Sequence, residues 1–143
     1  DDNSSTVLLI PLHKNPLVRE TLKKVLAGNQ RIFLIEPLAY DELVSVLKYC
    51  KFVITDSGGL QEEAPTFGKP VLVVRNNTER TEGIKSGTAK LIGTSTIKII
   101  EETRLFRPDL ILAIGGGAVI DYAKITNVVE NKINLNYSYN HKL

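Results

Sequence analysis

The sequence predicts a single α/β domain built on a doubly wound parallel sheet of about six strands. Short apolar runs alternate with longer segments in which apolar residues recur at helical spacing. The strand candidates are apolar throughout, which is typical of parallel strands that helices cover on both faces. A glycine turn at residues 56–59 joins a strand to a helix, as in many such sheets. Together these features predict a Rossmann-like fold.

Six segments are predicted as strands because they are short and apolar and because Gly, Pro, Asn or Asp bound most of them. The last of the six follows a proline and an aspartate and precedes a run of glycines. The predicted strands are residues 6–10, 31–35, Phe52–Thr55, 71–74, 89–92 and Leu110–Ile114.

The segments between the strands are predicted as helices. Pro16 suits a first helical position, Gly28 suits a helix end, and Asp41 is expected to open or cap the second helix. The predicted inner face of the first helix is Leu17, Val18, Leu22, Val25 and Leu26, and that of the second is Leu43, Val44, Val46 and Leu47. Further helices are predicted from Leu60, over residues 95–106 and over residues 118–129.

The composition is that of an ordinary globular protein. The 143 residues suffice for one domain with a core, and 43% of them are hydrophobic and 24% charged. The net charge is only +2, and no basic run is interleaved with aromatic residues, so nucleic-acid binding is not expected. No apolar run approaches about 18 residues, so no membrane span is expected.

Cys50 is the only cysteine, which excludes an internal disulfide. We expect it to be a half-buried hydrophobic residue rather than a reactive thiol. The two histidines, His13 and His141, do not indicate a metal site. The polar start at residues 1–5 does not suit a secretory signal, so a cytoplasmic setting is expected, and the missing initiator Met suggests a fragment.

The glycine turn at residues 56–59 is the strongest candidate for a ligand site. The first amides of a helix have no intrahelical acceptor, and the helix dipole places partial positive charge there. Glycines let a phosphate approach the backbone closely. Glu63 lies about two turns into the helix, within reach of a sugar hydroxyl beside that phosphate. The alternative is a tight turn in which Ser57 caps the helix.

The residues around this turn resemble the signature of a known family. Residues 56–65 are similar to the signature of the non-hydrolysing UDP-N-acetylglucosamine 2-epimerases, and residues 11–16 and 78–80 resemble further motifs of that family in the same order. The resemblance covers roughly residues 6–103, the later part of the second of the family's two Rossmann-like domains.

This resemblance implies that the chain binds UDP or a UDP-sugar. The family inverts the sugar at C2 through elimination and re-addition of UDP, without an added redox cofactor. Its acid–base carboxylates lie mainly in the other domain, so no turnover is expected from this chain alone.

The resemblance also implies the residues of the UDP site. The glycine turn would hold phosphate, and Glu63 would accept hydrogen bonds from the ribose hydroxyls. Glu62 points about 100° away on the helix, so a structural role is expected for it. The implied site consists of His13, Leu43, Ser57, Gly58, Gly59, Glu63 and Arg80.

Alternatives remain open for three members of this set. His13 either donates to a diphosphate, with more charge when protonated, or bonds the backbone of its own loop. Arg80 either neutralises phosphate charge or pairs with Glu79 or Glu82. Leu43 stands where the family usually has a Phe against the uracil, so weaker selection for uridine is expected.

The end of the chain resembles a different family. Residues 107–124 are similar to the nucleotide loop of the iron-containing alcohol dehydrogenases, in which glycines contact the pyrophosphate of NAD(P). The chain therefore looks like a chimera of residues 1–103 and 104–143, joined between about Glu101 and Arg107. The resemblance implies an alternative dinucleotide site at Gly115, Gly116 and Gly117, although residues 136–140, about 20 positions further on, contain no Asp or Glu as an evident ribose partner. The alternative for these glycines is a turn that binds no ligand. The alternative for the whole chain is a recombined scaffold without ligand function.

The join predicts the order of the strands. The strand that opens the nucleotide domain of the epimerase family precedes the part present here, and it is central in a sheet of order 3-2-1-4-5-6. Without it, the neighbouring strands would expose unpaired backbone groups. We therefore expect Leu110–Ile114 to lie between residues 7–10 and Phe52–Thr55 in a permuted sheet, with an edge position beside residues 89–92 as the rival.

The polar candidates are expected to meet at one end of that sheet. His13, Ser57, Gly58 and Arg80 all follow predicted strands. Because the carboxyl ends of parallel strands share one edge of the sheet, these residues are predicted to converge on one crevice.

Overall fold

A computed structural model of the chain describes residues 6–26, 28–106 and 109–115. The predicted helix over residues 118–129, together with Gly116 and Gly117, lies outside these ranges. The described elements are, in chain order, β1 (Val7–Pro11), α1 (Pro16–Leu26), β2 (Ile32–Ile35), α2 (Tyr40–Tyr49), β3 (Phe52–Thr55), α3 (Gly58–Thr66), β4 (Val71–Val73), α4 (Thr81–Ser86), β5 (Ala89–Leu91), α5 (Thr96–Phe106) and β6 (Leu110–Ile114).

The strands form one six-stranded sheet in the order β2-β1-β6-β3-β4-β5. Every pairing is parallel. This confirms the predicted Rossmann-like α/β fold of a single domain.

The last strand in the chain occupies the middle of the sheet, as predicted. Val7 of β1 pairs with Leu110, and Phe52 of β3 pairs with Ile111. The rival edge position is wrong, because β5 pairs with β4 rather than with β6. The inner backbone groups of β1 and β3 thus find partners within the sheet.

Hydrophobic residues cover both faces of the sheet. Successive residues of a strand point to opposite faces, so Ile111 and Ala113 of β6 join one buried cluster and Leu112 joins the other. α1 and α5 contribute to the first cluster, and α2 and α3 to the second. This explains why the strands are apolar throughout rather than alternating.

The inner face of α1 is narrower than predicted. Leu22 and Leu26 are buried and Val18 packs against them, whereas Leu17 is 73% exposed and Val25 is 55% exposed. The buried residues are spaced four apart, which is the stripe that one side of a helix presents to a flat sheet. The expectation that Leu17 and Val25 face inward is therefore wrong.

The start of α2 also differs from the prediction. The N-cap residue is Ala39, and the carboxylate of Glu42 accepts a hydrogen bond of 2.7 Å from the Ala39 amide. Asp41 therefore does not cap the helix but lies in its first turn, where its charge still favours the helix dipole.

Two more boundaries depart from the sequence analysis. α3 begins at Gly58 rather than Leu60, so the glycines form the first turn of the helix. The short helix α4 was not predicted. The sequence signal for this helix was Gly87, which ends it with a left-handed φ of 76°. The charges of Glu82 near the start and Lys85 near the end also suit the helix dipole.

Cys50 is more deeply enclosed than predicted, at 1% exposure rather than half-buried. Burial raises the pKa of its thiol to about 11. The neutral thiol is a poor nucleophile, so the side chain acts as a small core residue.

Within the described ranges, no helix combines the length and apolar character that spanning a bilayer requires.

The central position of β6 predicts a large difference between two leucine truncations. Leu112 is fully buried in β6, so Leu112→Ala should lower the free energy of unfolding by about 2–5 kcal/mol. Leu105 on α5 is 77% exposed, so Leu105→Ala should change it by less than about 0.5 kcal/mol. Urea denaturation of both variants measures the difference, and similar small effects would contradict a central β6.

Candidate functional site

A cleft of about 610 Å³ opens at the carboxyl ends of β1, β6 and β3. The chain winds outward from β1 to β2 on one side and from β3 to β5 on the other, so the cleft lies at the switch point of the sheet. Among the sequence-predicted residues, His13, Leu43, Ser57 and Gly115 line this cleft. The predicted convergence of loops is therefore confirmed for His13 and Ser57.

The glycine turn becomes the N-terminus of α3. Ser57 occupies the N-cap position in extended conformation, but its hydroxyl makes no capping hydrogen bond. The helix begins with the amides of Gly58 and Gly59. They come before the first intrahelical hydrogen bond, in which the Gln61 amide donates to the Ser57 carbonyl at 3.4 Å. The capping role that was the alternative for the Ser57 side chain is thus not observed.

A buried threonine ties this turn to the central strand. The hydroxyl of Thr55 donates to the carbonyl of Ile114 at 2.5 Å and accepts from the amide of Ser57 at 3.0 Å. Thr55 is fully buried. The sequence analysis did not single it out, although a lone hydroxyl at the end of an apolar strand is a usable signal.

Arg80 lies directly over the start of α3. A Cβ built on Gly58 would lie 2.7 Å from Cζ of Arg80 and 2.9 Å from its Nη1. Only a residue without a side chain lets the guanidinium rest there. The structure thus brings the predicted cation and the predicted glycine turn together.

The partners of Arg80 only partly match the alternatives drawn from the sequence. Its Nε contacts the carboxylate of Glu62 at 3.0 Å, and its Nη1 lies 3.5 Å from Glu79. In the part of the chain that the structure describes, no ion pair joins it to Glu82. Glu62 of α3 thus faces the residue that directly precedes α4.

Glu63 lies on the other side of α3. Its carboxylate interacts with the hydroxyl of Tyr40 on α2, which raises the pKa of Tyr40. Neither Glu63 nor Arg80 is among the described residues that line the cleft. The two therefore flank the N-terminal part of α3, one toward α2 and the other toward α4.

His13 follows β1 and is exposed on the rim of the cleft. Its Nδ1 accepts a hydrogen bond of 3.1 Å from the amide of Asn15. A neutral His13 then carries its proton on Nε2, which can donate to a ligand. The backbone bond that was one alternative for His13 is present, and it leaves the other ring nitrogen available for the second role.

Gln61 and Thr78 join the loop before α4 to the first turn of α3. Gln61 is buried at 3% exposure. Its Nε2 donates to the Ser57 carbonyl at 3.3 Å, and its Oε1 accepts from the Thr78 hydroxyl at 2.6 Å. The amide of Arg80 donates to the Thr78 hydroxyl at 3.2 Å. Both residues lie in the motifs at 56–65 and 78–80, but the sequence analysis gave neither of them a role of its own.

Across residues 6–26, 28–106 and 109–115, no group of three or more His, Cys, Asp or Glu is placed to hold a metal ion.

A parallel sheet with a glycine-led helix at its switch point defines the class of Rossmann-like nucleotide-binding domains. Within that class, the profile of UDP-N-acetylglucosamine 2-epimerase matches residues 1–113. The chain belongs to the UDP-N-acetylglucosamine 2-epimerase family. This confirms the resemblance drawn from the signature around the glycine turn.

Individual relatives agree with the family. The UDP-N-acetylglucosamine 2-epimerase of Campylobacter jejuni is 43% identical over 103 residues, which are 72% of this chain and 27% of that protein. The crystal structure of the Neisseria meningitidis UDP-GlcNAc 2-epimerase bound to UDP-GlcNAc is 36% identical, with a TM-score of 0.63 over 73% of this chain and 36% of that one.

A Staphylococcus aureus protein solved with UDP is 41% identical, with a TM-score of 0.64 over 89% of this chain and 37% of that one. The chain spans about a quarter of the length of the curated relatives that it matches.

Proposed function

We propose that this chain binds UDP or a UDP-sugar at the carboxyl end of its sheet, as part of the nucleotide-binding domain of a UDP-N-acetylglucosamine 2-epimerase. The observation that carries the proposal is the contact between the Arg80 guanidinium and Gly58 at the start of α3. This contact brings a side-chain cation, exposed helix amides and the positive end of the helix dipole together at one place.

The diphosphate would bind at this place. The amides of Gly58 and Gly59 and the hydroxyl of Ser57 are donors, and Arg80 supplies a full charge in a fork that suits phosphate oxygens. Its bonds to Glu62 and Glu79 occupy Nε and Nη1. The remaining guanidinium nitrogen, Nη2, would donate to the ligand, while the carboxylates hold the side chain near Gly58.

The uridine would occupy the cleft. Its wall is largely apolar, with Leu12, Leu38 and Leu43 among the lining residues. Glu63 would accept hydrogen bonds from the ribose hydroxyls, and its carboxylate now interacts with the hydroxyl of Tyr40. A ribose hydroxyl would therefore take the place of another hydroxyl beside this carboxylate.

The complexes of two relatives support the ligand class. The Neisseria meningitidis enzyme binds UDP-GlcNAc, and the Staphylococcus aureus protein binds UDP. The C2 epimerisation is proposed for the complete enzyme only. The residues of this cleft bind and orient the nucleotide, and no proton transfer and no cofactor are assigned to them. A reducing, cytoplasmic setting is proposed from the single buried cysteine.

A dehydrogenase-like origin of residues 104–143 is a second proposal. It is supported by the glycine signature of residues 107–124. The family profile reaches residue 113, however, and so includes most of β6. Gly115 lines the cleft with Ser57, so an NAD-type dinucleotide is the alternative ligand.

Thermal unfolding with UDP, UDP-N-acetylglucosamine or NAD tests these proposals. At about 100 times its dissociation constant, UDP should raise the free energy of unfolding by about 2.7 kcal/mol. Glu63→Gln should weaken UDP binding about 10- to 100-fold, because a charged acceptor for the ribose hydroxyls is lost. The matched change Glu101→Gln, exposed on α5, should leave it unchanged.

Three other results of these measurements would contradict the proposal or favour an alternative. Equal UDP shifts in wild type and Glu63→Gln would contradict the role of Glu63. A shift with NAD alone would favour the dinucleotide site. A cooperative transition without a shift from any of the three ligands would favour a scaffold without ligand function.

Gly58→Ala is expected to separate binding from stability. The residue has ordinary helical backbone and the new Cβ meets only the flexible end of Arg80, so the free energy of unfolding should change by less than about 1 kcal/mol. Arg80 must move, so UDP affinity should fall about tenfold or more. Calorimetric titration measures this fall. The loss should disappear in an Arg80→Ala background, and a loss that persists would mean that Gly58 acts through close phosphate approach alone.

Leu43→Phe is expected to strengthen base recognition. An aromatic ring on a base contributes about 1–3 kcal/mol, so UDP should bind about 5- to 100-fold tighter. Inorganic pyrophosphate lacks the base and should bind as it does to wild type. Equilibrium titration with both ligands measures the difference, and unchanged UDP affinity would place the base away from Leu43.

A further inference from the structure

We infer that Gln61 and Thr78 are positioning residues that hold Arg80 at the phosphate end of the nucleotide site. This inference rests on the proposed function. The hydrogen bonds among Ser57, Gln61, Thr78 and Arg80 form one series, called here the Gln61–Thr78 relay. Its two ends are the proposed phosphate ligands Ser57 and Arg80.

The burial of Gln61 requires its amide to be satisfied. A buried side-chain amide without partners is strongly unfavourable, and Gln61 has a partner for each end. Nε2 donates to the Ser57 carbonyl, and Oε1 accepts from Thr78. The amide orientation is thus set by a carbonyl on one side and a hydroxyl on the other.

The chemistry of Thr78 fixes the direction of the remaining bond. A hydroxyl has one proton, and Thr78 gives it to Oε1 of Gln61 over 2.6 Å. Its oxygen can then only accept, and it accepts the backbone N–H of Arg80. The main chain of Arg80 is therefore tied to a buried side chain of α3.

The ion pairs of Arg80 cannot position it to the same degree. Glu62 and Glu79 are both exposed, and water competes for exposed pairs. The backbone amide of Arg80 instead donates to a partly buried hydroxyl that is itself bonded to the buried Gln61, and this bond sets where the side chain starts. The contact of the guanidinium with Gly58 then follows from that starting point together with the bond to Glu62.

The relay affects the phosphate end of the ligand and not the base end. Leu43 and the apolar cleft wall lie on the α2 side of α3, whereas Thr78 and Arg80 lie on the α4 side. Loss of the relay should weaken binding of a nucleoside diphosphate and leave binding of the nucleoside unchanged. A general loss of structure would weaken both.

The experiment uses the whole chain and a pair of matched substitutions. Thr78→Val keeps the shape and removes the hydroxyl, while Thr78→Ser keeps the hydroxyl. Titration with UDP and with uridine is expected to show about tenfold weaker UDP binding in Thr78→Val, a loss that corresponds to one charge-assisted contact. Uridine should bind as it does to wild type, and Thr78→Ser should restore UDP binding.

Two further variants distinguish the relay from a local packing effect. Gln61→Leu should reproduce the loss for UDP, because the same series of bonds is broken. In an Arg80→Ala background, Thr78→Val should have no further effect on UDP. Equal losses for UDP and uridine, or a loss for UDP that persists without Arg80, would overturn the inference.

Amide hydrogen exchange tests the relay without any ligand. The Arg80 amide should be protected in wild type and Thr78→Ser and should exchange about tenfold faster in Thr78→Val and Gln61→Leu. Unchanged protection in Thr78→Val would overturn the relay even if UDP binds. Altered protection in a chain that shows no UDP binding would instead mean that the relay exists and that the proposed function is wrong.

Discussion

The pairing of β6 with both β1 and β3 is the interaction on which the rest of the structure depends. The amide of Val7 donates to the Asp109 carbonyl at 2.7 Å, and the amide of Lys51 donates to the Leu110 carbonyl at 2.8 Å. Without this strand, β1–β2 and β3–β4–β5 would be separate ribbons with unpaired inner edges. The hydrophobic core also depends on β6, because Ile111 contributes to the cluster on one face of the sheet and Leu112 to the cluster on the other.

The same strand positions the candidate site. Its last carbonyl, that of Ile114, holds the Thr55 hydroxyl, and Thr55 in turn holds the amide of Ser57. The start of α3 is therefore anchored to the centre of the sheet rather than to the surface. A helix N-terminus fixed in this way presents its amides and its dipole at a constant place, which is what anion binding at a switch point requires.

Buried hydrogen bonds and exposed ion pairs contribute differently around Arg80. An exposed ion pair contributes about 0–1 kcal/mol. Leaving a buried polar group without its partner costs about 1–3 kcal/mol. Gln61 is buried, whereas Glu62 and Glu79 are exposed, so the hydrogen bonds through Gln61 and Thr78 dominate the position of the loop. The carboxylates then select the orientation of the guanidinium over Gly58.

The sequence predicted the six strands, the described helices other than α4, the glycine turn and, through the family resemblance, the central place of β6. The local elements were predictable because apolar runs, helical spacing and turn residues act over a few positions. The place of β6 was predictable because it was the one predicted strand available for the gap between β1 and β3. Tertiary structure decided which side chains meet. The exposure of Leu17, the contact of Arg80 with Gly58 and the bond between Thr78 and Gln61 depend on distances between elements far apart in the chain. No local pattern contains those distances, because they are set by how helices pack on the sheet.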